Sequence, residues 1–198
     1  NEYLYQEMAQ ANVETLNEVN PKRIVATCPH CLHNLGKEYH QFGGDYNVVH
    51  HTELIEELIA AGKLPKSAHP SQQSNVTFHD PCYLGRHNGV VEAPRSVLES
   101  LGTSVTEMPR HGTSSFCCGA GGAQFWKEEE HGDKPVNIER YEEAKATGAD
   151  VVAVGCPFCM QMFTTAQTAV SDGPEIKDVV ELIAERLPDA SKTGAAAD

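Results

Sequence analysis

Apolar positions along this chain alternate between a helical and an extended period. Leu4, Met8, Val13 and Leu16 recur at helical spacing and predict a helix over 3–18. Arg23-Ile24-Val25-Ala26-Thr27 is a short apolar run, a predicted buried strand that ends at Cys28. Pro29 suits the first turn of the next helix, with Leu32, Leu35 and Tyr39 along one side. Asn47-Val48-Val49-His50 predicts a second strand, and Thr52 then caps a helix through Leu54, Ile55, Leu58 and Ile59 that stops near Gly62.

After a polar, proline-punctuated stretch over 65–75, the alternation resumes. Val76-Thr77-Phe78 predicts a strand that delivers His79-Asp80-Pro81-Cys82. A helix over 93–101 closes at Gly102, and a strand follows over Ser104 to Met108. Beyond a glycine-rich turn, residues 136–147 predict a helix ended by Gly148, and Val151 to Val154 a buried strand before Cys156. Helices over 157–169 and 176–187 precede the tail "SKTGAAAD", expected to fray.

The alternation repeats itself. "IVATCPHC" (24–31) and "VVAVGCPFC" (151–159) share an apolar strand, a C-P-x-C turn and a following helix. Asn12-Val13-Glu14 resembles Asn137-Ile138-Glu139 upstream, and Glu57-Leu58-Ile59-Ala60 resembles Glu181-Leu182-Ile183-Ala184 downstream. The expected fold is α/β: two related repeat units with short, mainly parallel sheets flanked by helices and cysteine sites at strand ends. The expected boundaries are the closing part of a first unit over 1–64, a linker over 65–75, a complete second unit over 76–190 and a tail over 191–198. The chain opens at Asn1 inside a helical pattern, so it is expected to be a piece of a longer protein.

Composition narrows the function. A hydrophobic fraction of 40% and only one Trp describe an ordinary globular protein, and no apolar run reaches the ~20 residues of a membrane span. A net charge of −13, from 28 acidic and 15 basic residues, argues against a nucleic-acid partner.

The seven cysteines are clustered: Cys28 and Cys31, Cys82, the adjacent Cys117 and Cys118, then Cys156 and Cys159. An odd count with two C-x-x-C pairs and no secretory signal suits metal or redox chemistry better than a disulfide framework. In the second unit, 34 residues separate Cys82 from Cys117, 37 separate Cys118 from Cys156, and two more lead to Cys159. All fall at or just after strand ends, which gather at one edge of an α/β sheet. Five soft donors with a vicinal pair suit an iron–sulfur cluster, because neighbouring sulfurs can reach different irons. Zinc takes four thiolates and favours two short knuckles. Gly119, Gly121 and Gly122 can take positive φ and bring backbone N–H groups toward an anionic core. No P-loop or dinucleotide fingerprint accompanies them.

"HDPCYLGRHNG", "FCCGAGG" and "GCPFC", in this order and spacing, resemble the cysteine-rich CCG domain. That domain occurs in heterodisulfide reductases, in the glycolate oxidase iron–sulfur subunit and in membrane-bound electron-transfer-flavoprotein:quinone oxidoreductases. "EAPRSVLESLG", "NIERYEEAKATGAD" and "CPFCMQMF" look most like the last group. The resemblance implies a [4Fe-4S]-type cluster, noncubane in some members, with Cys82, Cys117, Cys118, Cys156 and Cys159 as ligands. It implies electron transfer between a flavoprotein-type donor and a quinone or disulfide acceptor, within a larger enzyme. Ferredoxin-like or membrane quinone modules would lie upstream or on other subunits, with the chain in the cytoplasm or on the cytoplasmic membrane face.

Cys28 and Cys31 match only the closing C-x-x-C of a first copy. They are expected to be an orphaned half-site, free thiols, or zinc ligands helped by His30, His33, His50 or His51. His79 and Asp80 either serve the cluster environment or form a turn. Arg86 either offsets cluster charge or pairs on the surface. His87 and His111 read as loop residues, Trp126 as core by default or else as a cover over the site, and Met160, Met162 and Phe163 as helix core. Two other classes stay open: a zinc-stabilised docking module, and a thiol–disulfide protein cycling its C-x-x-C or vicinal pairs.

Overall fold

The structure, a computed structural model, describes residues 1–64, 74–128 and 132–187. The linker expected over 65–75 lies outside these residues up to 73, and the tail over 191–198 lies outside them entirely.

The first unit runs α1 (Glu2–Val19), β1 (Ile24–Ala26), α2 (Pro29–Gly36), β2 (Val48–His50) and α3 (His51–Ala60). β1 and β2 form a two-stranded parallel sheet with α2 as the crossover. The second unit runs β3 (Asn75–His79), a π-helical turn over Tyr83–His87, α4 (Glu92–Ser100) and β4 (Ser104–Val105). It continues through a long loop to α5 (Val136–Lys145), β5 (Val151–Val154), α6 (Pro157–Ala169), β6 (Glu175–Asp178) and α7 (Val179–Ala184). Its four strands pair in parallel in the order β4-β3-β5-β6.

The repeat read from the cysteine motifs is a repeat of structure. β1–α2–β2–α3 and β5–α6–β6–α7 share the same connectivity. Cys28 and Cys156 are both extended N-caps with a proline at the start of the helix. At the last helix of each unit a glutamate reaches back to the cap: Glu53 accepts from the His50 N–H, and Glu181 from the Asp178 N–H, each at 2.8 Å.

Alternation in the strands divides the core between the sheet's two faces. Val76, Phe78, Val151 and Ala153 pack with Val97 and Leu98 of α4, Val179 and Leu182 of α7, and Ile55 and Ile59 of α3. Val152 and Val154 pack with Tyr141 and Ala144 of α5 and with Cys159, Phe163 and Ala166 of α6. Each fully buried side chain of this kind contributes about 1.5–3 kcal/mol. The same period of two puts Thr77 and His79 on the α5/α6 face, where the histidine ring lies 4.9 Å from Phe163. β5, buried at every position, reads as a central strand of a parallel sheet.

Three local expectations change. The helix expected over 176–187 begins with strand β6, and α7 starts only at Val179. The polar run Glu175-Ile176-Lys177-Asp178 suits an edge strand, and Asp178 caps α7 by accepting from the Val180 N–H at 2.9 Å. The cap of α3 is His50, not Thr52, which lies inside the helix with its Oγ1 2.7 Å from His50 Nδ1. β4 stops at Val105, and Met108 turns into the core instead of extending the strand. Replacing Leu98 by Ala, in the cluster away from the cysteines, should destabilise the fold by about 2–5 kcal/mol in denaturant unfolding.

Candidate metal centre

The chain leaves β3 toward β4 on one side and returns through β5 to β6 on the other. β3 and β5 are therefore the topological switch point, where the carboxyl ends of an α/β sheet open a crevice. His79 is paired with Val154 at the last step of the register. Beyond it, one arm carries Cys82 and the other carries Cys156 and the first turn of α6 with Cys159. A third arm, the loop after β4, brings Cys117 and Cys118.

Asp80 fixes the third arm against the first. Its carboxylate, 1% exposed, takes two parallel bonds from Arg95 at 2.8 and 2.9 Å and a third from the Gly112 N–H at 2.7 Å. Ser115 Oγ donates to the Asp80 carbonyl at 2.8 Å. Arg86 donates to the carbonyls of Thr113 and Ser115. Arg95 also holds Glu107, with contacts at 2.7 and 2.9 Å. The stretch just before the vicinal cysteines is thus pinned on both sides.

The thiols form a continuous line. Cys82 neighbours Cys117, Cys117 neighbours Cys118, and Cys118 Sγ lies 3.3 Å from Cys159 Sγ. Cys159 neighbours Cys156, which in turn meets Cys28 of the first unit. Cys118, Cys156 and Cys159 are almost fully buried, while Cys82 and Cys117 keep partial access to solvent.

Acidity is uneven along the line because shared protons favour two thiolates, Cys117 and Cys156, over their neighbours. Cys117 is driven far down by hydrogen bonds from the Cys118 and Cys82 thiols, with the Gly119 and Gly121 N–H groups adding to the effect. Cys156 falls to about 4 through the Cys159 and Cys28 thiols, helped by N–H groups of the α6 first turn. Cys82 rises, chiefly because it is the donor to Cys117. Cys118 rises to about 12 for the same reason, and Cys159 rises between Cys118 and Cys156. Metal ions would replace these shared protons, and the donor chemistry fits an iron–sulfur group: five clustered thiolates faced by backbone N–H groups.

The glycine turn contributes in two ways. Gly119 has φ +94° and donates its N–H to Cys117 Sγ at 3.2 Å, and Gly122 has φ +63°. Gly121 does not take positive φ; its part is the N–H directed at Cys117.

His79 is fully buried, with a ring nitrogen within 4.8 Å of the Cys118 and Cys159 sulfurs. Its Nδ1 accepts from Arg140 Nε at 3.1 Å, and its Nε2 has no hydrogen-bond partner. Burial, reinforced by the Arg140 charge, holds the ring neutral. Arg140 itself is 0% exposed and tied to Glu143, the Arg110 carbonyl and Ser115 Oγ.

Sequence reasoning set Cys28 and Cys31 apart, as an orphaned half-site, free thiols or zinc ligands. The structure instead brings Cys28 and His30 to Cys156, with ligating atoms within 4.8 Å of one another. Cys31 is exposed and outside that group. His33 is engaged by Glu38 and Asn88, and His50 by Thr52 and the Gly155 carbonyl, so a zinc site built on the C-x-x-C with these histidines is not assembled. The reason is the repeat: its two equivalent C-P-x-C turns face each other. Arg86 braces backbone instead of meeting a carboxylate, and Asp80 is a clamp. Trp126 is not core; it is 71% exposed, edge-on to Phe125 and Phe158. Sequence reasoning missed Arg140, Ser115 and Arg95, whose contacts with His79 and Asp80 span 15 to 61 residues.

Fold and site together define a parallel α/β domain with a thiolate centre at its switch point. The chain belongs to the CCG family of cysteine-rich domains, whose model matches residues 1–36 and 76–164. A Bacillus subtilis protein named "Probable iron-sulfur-binding oxidoreductase FadF" is 40% identical over 190 residues, 94% of this chain and 26% of that protein. The EtfAB:quinone oxidoreductase of Syntrophomonas wolfei is 38% identical over 193 residues, 92% of this chain and 26% of that protein. A component of the dihydromethanophenazine:CoB--CoM heterodisulfide reductase of Methanosarcina barkeri is 34% identical over 187 residues, 91% of this chain and 44% of that component. The chain thus spans less than half the length of each of these relatives. Among the described residues no helix is long and apolar enough to cross a membrane.

Removing Arg95 as Arg95→Ala leaves the Asp80 carboxylate buried and unpaired, so unfolding should show a loss of about 3–5 kcal/mol. In Gly119→Ala the new Cβ would stand 3.2 Å from Met162 Cε at a positive φ, and stability should fall by about 1–2 kcal/mol in the same assay.

Proposed function

We propose that this chain holds a [4Fe-4S]-type cluster on Cys82, Cys117, Cys118, Cys156 and Cys159 and works as a redox module of a larger oxidoreductase. The observation that carries the reading is the unbroken line of thiols, three of them buried, at the β3/β5 switch point, with backbone N–H groups of the glycine turn and of α6 directed at it. When bound, such a cluster supplies one-electron transfer at a potential set by ligands, hydrogen bonds to sulfur and burial. The residues here supply the last two: Cys118, Cys156 and Cys159 lie in the core, while Cys82 and Cys117 keep the solvent side.

By analogy with the names of its relatives, the donor is an electron-transfer flavoprotein and the acceptor a quinone or a disulfide. A membrane quinone module or a ferredoxin-like module would come from other segments or subunits, one relative being named a membrane-anchored ferredoxin. On this reading the domain works in the cytoplasm or on the cytoplasmic face of the membrane. One contact favours a second reading, direct thiol–disulfide exchange: the 3.3 Å approach of Cys118 and Cys159.

Anaerobic purification followed by iron, acid-labile sulfide and zinc assays separates the readings. Iron and sulfide in near-equal amounts, with a visible band that Cys118→Ala bleaches, is the expected outcome. A colourless, iron-free anaerobic sample that carries stoichiometric zinc, or only a cycling disulfide, overturns the cluster reading.

A further inference from the structure

The cluster reading leaves one buried polar network without a task. Arg140 reaches from α5 across the sheet face to His79, and neither residue is a thiolate. Glu143 and the Arg110 carbonyl accept from Nη1 of Arg140, at 2.9 and 2.8 Å. These bonds hold the guanidinium in place, and its Nε–H reaches His79 Nδ1 at 3.1 Å.

This contact decides the histidine's tautomer. A guanidinium has donors only and stays charged in proteins, so Nδ1 of His79 must be the acceptor. The single proton of the neutral ring is therefore on Nε2. That atom is buried and without a hydrogen-bond partner, an arrangement that costs about 1–3 kcal/mol unless something accepts from it. A His79 ring nitrogen lies within 4.8 Å of Cys118 and Cys159 Sγ, and Nδ1 is already occupied. Among the described residues nothing accepts from Nε2, so its N–H is open to a sulfur acceptor that a group bound at Cys118 and Cys159 would bring.

We propose that Arg140 is a positioning residue that locks His79 in its Nε2–H form, so that His79 donates a hydrogen bond to sulfur at the Cys118/Cys159 side of the cluster and raises its reduction potential. The inference rests on the cluster reading above. Hydrogen bonds to sulfur stabilise the more negative, reduced state, which is how they move the potential upward. Arg140 does not touch the cluster in this account; it acts through His79.

Two measurements test it. In the protein before cluster loading, ¹⁵N NMR of the His79 ring should show the Nε2–H tautomer, and the Nδ1–H tautomer overturns the proposal without any variant. In the anaerobic, cluster-loaded protein, an EPR-monitored redox titration should place His79→Leu below wild type by about 59 mV, a tenfold change in a one-electron equilibrium. His79→Gln, which keeps an N–H donor on that side, should recover much of the fall. Arg140→Gln should also lower the midpoint, and the double variant should fall no further than His79→Leu alone.

Additive falls mean that Arg140 acts by its charge and overturn the positioning role. An unchanged midpoint in His79→Leu, at normal iron and sulfide content, overturns the hydrogen bond to sulfur. Wild-type protein that never loads iron sinks the cluster reading instead, and the NMR result still judges the tautomer.

Discussion

The parallel pairing of β3 with β5 is the constraint on which this molecule depends. Hydrogen bonds between two buried strands fix Val76 to His79 opposite Val151 to Val154. That register brings the two chain exits, toward Cys82 and toward Cys156, side by side. Because β4 and β6 lie outward of this pair, nothing from the sheet covers the crevice between the exits. The alternation of side chains then sends Phe78 to one core and His79 to the other. A slip of one residue would exchange them and place an apolar ring where the thiols meet.

The site is stiff because its third arm is held by charge in a setting where charge is expensive. The Asp80 carboxylate is satisfied by a bidentate arginine and a backbone N–H, which makes its burial tolerable. Through Gly112 and Ser115 the same residue fixes the loop that presents Cys117 and Cys118. Arg140 adds a second cation on the inner side, tied to Glu143 and to the Arg110 carbonyl. In a chain of net charge −13, the fully buried Arg140 and the partly buried Arg95 hold the residues that build a place where thiolate charge collects. They offset the cost of gathering several sulfurs in a low-dielectric core.

Much of this was legible from local pattern. Short apolar runs located β1, β2, β3 and β5, and Pro after cysteine located the starts of α2 and α6, because these depend on neighbours in sequence. The vicinal pair and its glycines announced a thiolate centre for the same reason. Features that depend on distant partners were not legible. β6 is polar and exists as a strand because β5 offers it a ladder. Cys28 meets Cys156 only because two copies of one βα turn pack face to face, which no spacing within either copy reveals. Arg140 reads as an ordinary helix arginine until α5 is laid on the sheet. Trp126 shows the converse error: a large ring assigned to the core by default is 71% exposed.

The most direct test of the centre is a comparison of thiol accessibility with and without the bound group. Under anaerobic conditions, denaturing alkylation and peptide mapping of the cluster-loaded and cluster-free protein would report which sulfurs iron occupies when the quench outruns cluster loss. The account predicts protection of Cys82, Cys117, Cys118, Cys156 and Cys159 on loading, with Cys31 labelled in both states. Protection of Cys28 and Cys31 together with labelling of Cys82 and Cys117 would contradict it.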